Sequence, residues 1–197
     1  MKKLVQFIKE NSEKNIDILF SNKWFDVVNV TVEGASMSGI WKNDRNAVVL
    51  PFTTGVFNGN AGSELKIDIL KVGIRYELNP LKDSNYTYTA ITGNIEKNET
   101  DLEGAKRELL EESGYDVPDD DRWIYLGEIT TSKLTNEKHP CFAVNITDIE
   151  QGVISGDGSI NEQKSKFELI DPEKIFNLED AFLNTSLLKL LNKLGVI

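Results

Sequence analysis

Three glutamates, Glu108, Glu111 and Glu112, lie at spacings i, i+3 and i+4 in a segment with helical character. At about 100 degrees per residue they share one sector of a helix surface, where like charges repel one another. A hard divalent cation would neutralise such a cluster, because Mg²⁺ and Ca²⁺ bind carboxylate oxygens. Acidic helix faces are common and are usually only solvated, so the triplet by itself does not establish a metal site.

The helix that carries these glutamates has clear start and stop signals. Thr100 followed by Glu103 forms a capping box, and Ser113-Gly114 can close the helix with a left-handed glycine. The sequence therefore predicts a helix over Asp101–Glu112. Three apolar residues of this segment share a face that should pack on a sheet: Leu102, Ala105 and Leu109.

The spacing of further residues around the helix favours a functional interpretation of the three glutamates. Five residues separate Gly93 from Glu99, and seven more precede the run Arg107-Glu108-Leu109-Leu110-Glu111-Glu112-Ser113-Gly114-Tyr115. This pattern, G-x5-E-x7-R-E-U-x-E-E-x-G-U with U a bulky apolar residue, resembles the Nudix box of the Nudix hydrolases. All its fixed residue types are present. Tyr115 fills the last U with an aromatic, and Asn98 stands where a Gly often precedes the first Glu.

The resemblance implies a hydrolase of nucleoside diphosphates linked to another moiety, acting by water attack on phosphorus with Mg²⁺ or Mn²⁺. Glu111 and Glu112 match the principal metal ligands, with Glu112 also counted among the catalytic residues. Glu108 matches a residue that binds a metal or assists the nucleophilic water. The backbone carbonyl of Thr92 matches a further ligand position.

Supporting roles follow from the same resemblance. Glu99 and Arg107 match a charge pair that orients the helix and its preceding loop, and Gly93 allows close backbone approach to a metal or phosphate. Relatives place an arginine near substrate phosphates at a position similar to Arg75. They also recruit an acidic residue from a late loop, for which Glu162 is the candidate and Glu137 the lesser alternative.

Four other residues could contact a substrate, but each also has a simpler structural interpretation. His139 is the only histidine, and a surface or strand-edge position is a simpler reading than contact with substrate. Trp24, Tyr76 and Tyr88 could stack on a base, but aromatic residues in strands usually belong to the core.

The elements that must position these residues read as an α/β/α sandwich of the Nudix type, with a mixed sheet. Residues 1–44 are predicted to form a short helix, Leu4–Lys9, and a small antiparallel ribbon. Residues 45–197 are predicted to form the hydrolase domain. The ribbon strands are predicted at Trp24–Val32 and Met37–Trp41. Periodicity predicts the following sheet strands and last helix: Ala47–Phe52, Leu65–Leu78, Tyr86–Ile91, Trp123–Ile129, Cys141–Ile146, Lys166–Ile170 and Glu179–Leu194.

The order of elements is similar to that of ADP-ribose pyrophosphatases, which implies ADP-ribose or a nucleotide sugar as substrate and a homodimer joined through the ribbon. Ala90-Ile91-Thr92 and Thr130-Thr131-Ser132 lack prolines common in that subgroup. Dinucleoside polyphosphates and nucleoside triphosphates therefore stay open as substrates. So does a nucleotide-sensing domain without turnover, although the intact box argues against it.

Composition excludes several other classes. The formal net charge of −10, with no basic run, disfavours duplex nucleic acid as a partner. No apolar stretch is long enough for a bilayer, and the N-terminus lacks a signal-peptide pattern, so no membrane association is expected. Cys141 is the only cysteine, which excludes an internal disulfide and a thiolate zinc cluster and fits a cytoplasmic protein.

Overall fold

The computed structural model describes residues 14–42, 44–56, 67–79, 84, 86–156 and 164–197. The expected helix at Leu4–Lys9 lies outside these residues. The chain divides into two compact units. The first consists of the described residues up to Arg45 together with Thr130–His139, and the second of Asn46–Ile129 with Pro140–Ile197.

The first unit is built on an antiparallel sheet of three strands in the order β1-β2-β3. Its strands are β1 (Asn15–Ser21), β2 (Phe25–Val32) and β3 (Ala35–Lys42). Glu33 and Gly34 connect β2 to β3 with φ values of 50° and 82°, as a tight two-residue hairpin requires. The two predicted ribbon strands are confirmed, and β1 is an additional strand that the sequence did not indicate.

The segment 130–139 belongs to the first unit because it bonds to β3. The N–H of Ile40 donates to the carbonyl of Leu134 at 2.7 Å. The Asn136 side chain accepts from the N–H of Lys42 at 2.7 Å and donates to its carbonyl at 2.9 Å. A segment distant in sequence therefore completes the N-terminal sheet.

The second unit contains a seven-stranded mixed sheet in which β10, β5, β4, β9 and β8 are neighbours in that order. β6 pairs with β5 and β7 with β4 at the ends of those strands. β4 runs parallel to β9 and antiparallel to β5. The strands are β4 (Asn46–Val56), β5 (Ile67–Leu78), β6 (Tyr86–Thr89), β7 (Ile91–Asn94), β8 (Trp123–Ile129), β9 (His139–Asn145) and β10 (Lys166–Ile170).

Helices cover both faces of this sheet, so the central strands are buried on both sides. In β4, Val48 and Leu50 face the cluster that holds Ile175, Leu183 and Leu187, whereas Ala47 and Val49 face the cluster that holds Ala105 and Leu109. The helices are α1 (Asp101–Ser113) on the second of these faces, and α2 (Pro172–Ile175) and α3 (Ala181–Lys193) on the first. This is the expected α/β/α sandwich.

One predicted strand is divided in the structure. The predicted strand Tyr86–Ile91 is interrupted at Ala90, because the residues before it pair with β5 and those after it pair with β4. Gly93 therefore lies in β7 opposite Ala47. Among the described residues, no helix has the length and apolar character needed to cross a membrane.

Candidate active site

Both ends of α1 are fixed by the signals in its sequence. The Thr100 hydroxyl accepts from the N–H of Glu103 at 3.2 Å, and the Glu103 carboxylate accepts from the N–H of Thr100 at 2.8 Å, which is the predicted capping box. At the other end Gly114 has a φ of 76°, and its N–H donates to the carbonyl of Leu110. The helix that presents the acidic triplet is therefore closed at both ends.

The acidic face of α1 is not a solvated face. Ala105 and Leu109 are completely buried against the sheet. Glu108 and Glu112 flank them and are only 8% and 7% exposed, while Glu111 is partly exposed. Carboxylates are seldom buried without a partner, so these two glutamates require compensating charge.

Gly93 of β7 lies directly beneath the Glu108 side chain. A Cβ atom at this position would overlap all three atoms of the Glu108 carboxyl group. The missing side chain therefore makes room for the carboxylate, a reason for glycine that its conformational freedom alone would not give. Thr92 precedes Gly93 in β7 and pairs with Val48.

Arg107 connects the N-terminal loop of α1 to two of the three glutamates. Its Nε and Nη2 donate to the two carboxylate oxygens of Glu99 at 2.8 and 3.1 Å, a bidentate pair. Its Nη1 donates to Glu108 at 2.7 Å and to Glu111 at 3.0 Å, and Nη2 also donates to the carbonyl of Asn94 at 2.6 Å. One guanidinium thus fixes the loop and both carboxylates relative to one another.

The charges of this network shift the pKa values of its members. Hydrogen bonding to Arg107 is the largest cause that holds the pKa of Glu99 below the usual 4.5; burial opposes it, and the N–H of Glu96 lowers the pKa by a smaller amount. The pKa of Arg107 is raised, first by its bond to Glu99 and then by Glu108 and Glu111. Both partners are therefore charged at neutral pH.

A second arginine holds Glu112. Nη1 of Arg75, on β5, donates to Oε1 of Glu112, and Nη2 donates to the hydroxyl of Ser165. The Arg75 side chain is 3% exposed. The sequence assigned Arg75 to substrate phosphates, and its placement against a box glutamate was not expected.

The segment after β9 satisfies the carbonyl groups at the end of α1. The Gln151 side chain donates to the carbonyl of Ser113 at 2.8 Å, and the N–H of Gly152 donates to that of Gly114 at 2.8 Å. The N–H of Gly156 donates to the carbonyl of Glu111 at 3.0 Å. Sequence reasoning missed this support, because nothing in residues 151–156 signals a contact with a helix so distant in the chain.

Three of the other candidates lie in the first unit. Glu137 forms an ion pair with Lys42 at 2.9 Å. His139 is buried, at 5% exposure, so the surface or edge position expected for it is wrong. Trp24 precedes β2 and is 61% exposed with the Lys23 ammonium 4.2 Å from its ring centroid, so it is neither in a strand nor in the core.

The remaining candidates are Tyr76, Tyr88 and Glu162. Tyr76 and Tyr88 lie side by side with ring centroids 4.8 Å apart, and Tyr88 packs against the cluster beneath α3. Arg75 and Tyr76 are adjacent in β5 and point to opposite faces of the sheet, so these tyrosines are on the face away from Glu112. Glu162 lies outside the described residues.

The donor chemistry of this site fits a hard divalent cation. Within the described parts of the chain, no three Asp, Glu, His or Cys side chains converge as ligands of one ion, since the arginines hold the carboxylates. Oε2 of Glu112, however, is buried and has no hydrogen-bond partner there. A buried carboxylate oxygen without a partner is costly, and a cation that prefers oxygen ligands would satisfy it.

Comparison with known proteins bears on the fold. No protein-family model and no curated protein matches the chain. A crystal structure of an ADP compounds hydrolase superposes with a TM-score of 0.66, covering 92% of each chain at 15% identity. A protein of Listeria monocytogenes described as a NUDIX hydrolase superposes with a TM-score of 0.50 at 21% identity, covering 77% of this chain and 94% of that one. The chain therefore has the fold of the Nudix hydrolases, in a layout similar to that of the ADP compounds hydrolase.

Proposed function

We propose that this protein is a divalent-metal-dependent pyrophosphohydrolase that cleaves a nucleoside diphosphate linked to another moiety. The observation that carries the proposal is the flank of α1, where Glu108 and Glu112 are buried and Glu108, Glu111 and Glu112 are held by two arginines. A protein gains no stability from gathering buried carboxylates in this way, so the arrangement is better explained by chemistry.

In this proposal Glu111, Glu112 and the carbonyl of Thr92 hold Mg²⁺ or Mn²⁺, and Glu108 binds the metal or orients the attacking water. The bound cation would lower the pKa of a water molecule and neutralise charge that develops on the phosphate oxygens. Glu162 is proposed as a further residue that orients or deprotonates the water.

The supporting residues keep the carboxylates in place. Arg107 binds Glu99, Glu108 and Glu111 together, and its bidentate contact with Glu99 fixes its direction. Gly93 leaves the space in which the Glu108 carboxyl group lies. Preorganised side chains lose little free energy to reorientation when substrate binds, which favours catalysis.

ADP-ribose or a nucleotide sugar is the proposed substrate class. Its support is the similarity in fold to an ADP compounds hydrolase, together with the order of the chain's elements. The net charge of −10 repels an anionic substrate, so binding must depend on a local cation such as the bound metal. Nucleoside triphosphates and dinucleoside polyphosphates are the alternatives.

The function is tested by incubating the purified protein with ADP-ribose, nucleotide sugars, dinucleoside polyphosphates and nucleoside triphosphates, with and without Mg²⁺, and identifying the products. We expect Mg²⁺-dependent cleavage of a pyrophosphate linkage in the first two classes. Glu168→Gln, which changes an exposed glutamate on β10, is a control substitution and should cleave the same substrates as the wild-type protein. Binding of these compounds without turnover would contradict the proposal and indicate a sensing domain.

A homodimer joined through the N-terminal sheet and a cytoplasmic location stay predictions. The sheet exposes several large apolar side chains: Ile18, Leu19, Phe20, Met37 and Ile40. Light scattering on the eluting protein gives the molar mass directly. A mass of 22.2 kDa, that of one chain, would contradict the dimer.

A further inference from the structure

Arg75 and Glu112 form an ion pair that is almost completely buried. The exposed fractions of their side chains are 3% and 7%. The two residues come from β5 and α1, and Ser165, just before β10, binds the other end of the same guanidinium. They meet because β10 pairs with β5, with Phe167 opposite Arg75, and α1 lies on that face of the sheet.

The burial of this pair sets it apart from the Arg107 network. Arg107 is 26% exposed and keeps part of its hydration. Arg75 has little access to water, and a buried guanidinium or carboxylate is strongly unfavourable without a partner of opposite charge. Arg75 therefore supplies the positive charge that the buried Glu112 requires.

We propose that Arg75 is the counter-ion of the metal-free site, which holds Glu112 until a divalent cation takes the carboxylate. This inference rests on the proposed function, because it assumes that a cation binds Glu112. The cation must break or share the Arg75 contact, so the apparent metal affinity falls with the fraction of molecules in which Arg75 occupies the carboxylate. Arg75 acts through Glu112 and is a positioning residue.

Ser165 holds Arg75 beside Glu112. Nη2 of Arg75 donates to the Ser165 hydroxyl while Nη1 donates to the Glu112 carboxylate. Removing the hydroxyl should loosen the guanidinium and weaken its competition with the metal while the positive charge is kept.

The test is titration of the full chain with Mn²⁺, followed by electron paramagnetic resonance, and melting in EDTA and in saturating Mn²⁺. Arg75→Met should bind Mn²⁺ about tenfold or more tightly than wild type, because a competing positive charge is gone. It should melt lower in EDTA and gain more from Mn²⁺. Arg75→Lys keeps the charge and should stay close to wild type. The control is Arg122→Met, which removes a guanidinium that donates to the carbonyls of Asn145 and Thr147 and should leave Mn²⁺ affinity unchanged.

These measurements can support or overturn the counter-ion role of Arg75. Unchanged or weaker Mn²⁺ binding by Arg75→Met would overturn the counter-ion role, and a raised KM with unchanged Mn²⁺ affinity would assign Arg75 to substrate instead. If Arg75→Met does not fold, Ser165→Ala decides: Mn²⁺ binding tightened about threefold or more supports the role, and unchanged binding overturns it. A wild-type protein that binds no Mn²⁺ would contradict the proposed metal centre itself, which is a different result.

Discussion

The two arginine networks of α1 differ in how far apart in sequence their members lie. Among the described residues, Arg107 binds only those of the segment from Asn94 to Glu111. Arg75 binds Glu112 across 37 residues and Ser165 across 90. The contacts of the first network are local, so residue spacing in the sequence can predict them. The second network exists only because the sheet brings distant strands together.

Their burial differs as well, and so should the consequences of breaking them. Arg107 shares three carboxylates and is partly hydrated, so it works mainly as a positioning device. Arg75 holds the buried carboxylate of Glu112. We therefore expect changes in the Arg107 network to disturb geometry and activity, and changes at Arg75 to alter metal affinity.

The largest effect is expected for Gly93→Ala. The added methyl group would overlap the Glu108 carboxyl group and push it away from Arg107. Misplaced catalytic groups cost orders of magnitude, so we expect activity to fall by about a thousandfold, with a lower melting temperature. Gly104→Ala is the control, since its new methyl would meet the Ile95 and Glu99 side chains at 3.1 and 3.3 Å and helix propensity favours alanine. Equal activity of the two variants would refute the role of Gly93.

Arg107→Met should have the next largest effect. Glu99, Glu108 and Glu111 would lose their shared partner, and we expect a stability loss of about 2 to 3 kcal/mol. Activity should fall through altered geometry, by about a few hundredfold. Denaturant unfolding and initial rates measure the two effects. If the variant unfolds like wild type but has no activity, Arg107 acts directly on substrate.

Glu162→Gln tests whether catalysis extends beyond the box. If Glu162 orients or deprotonates the water, its loss should lower kcat by about a hundredfold while the Mg²⁺ dependence is kept. Glu137→Gln, which changes a residue paired with Lys42, is the matched comparison and should be nearly silent. A kcat within a few-fold of wild type for Glu162→Gln, with a low one for Glu137→Gln, would reverse the assignment.

The smallest expected effect is the pH dependence of the Glu99–Arg107 pair. Because Arg107 lowers the pKa of Glu99 below 4.5, the pair stabilises the fold above the pKa of the unfolded state. This contribution is lost as the pH falls through the lower, folded-state value. The difference in unfolding free energy between wild type and Glu99→Gln should be constant above about pH 5 and shrink in acid. The same difference at pH 3 and pH 7 would contradict the pairing.

The sequence predicted the parts of the molecule that depend on neighbouring residues. Helix α1, its capping box and its left-handed Gly114 follow from local patterns, as do β8 at Trp123–Ile129 and β10 at Lys166–Ile170. Alternation in strands and helical periodicity depend on short spacings, which a single sequence displays.

The rest depends on contacts that a single sequence does not display. The split of β6 from β7 follows from pairing with two different strands, and β1 has a mostly exposed surface without clear alternation. Arg75 and Ser165 give no sign of sharing a bond. The acidic triplet was read as a convergent cluster, whereas the structure separates Glu112 from the other two by giving it a different arginine.

The most direct test of the account is Glu112→Gln, measured by steady-state kinetics in Mg²⁺ alongside thermal melting. Glutamine keeps the shape of the side chain and an oxygen that can accept from Arg75, but it removes the negative charge that a metal ion needs. We predict that kcat falls by about a hundredfold or more, and that the melting temperature also falls, because Arg75 loses its buried partner of opposite charge. Activity within a few-fold of wild type would contradict the assignment of this carboxylate to the metal.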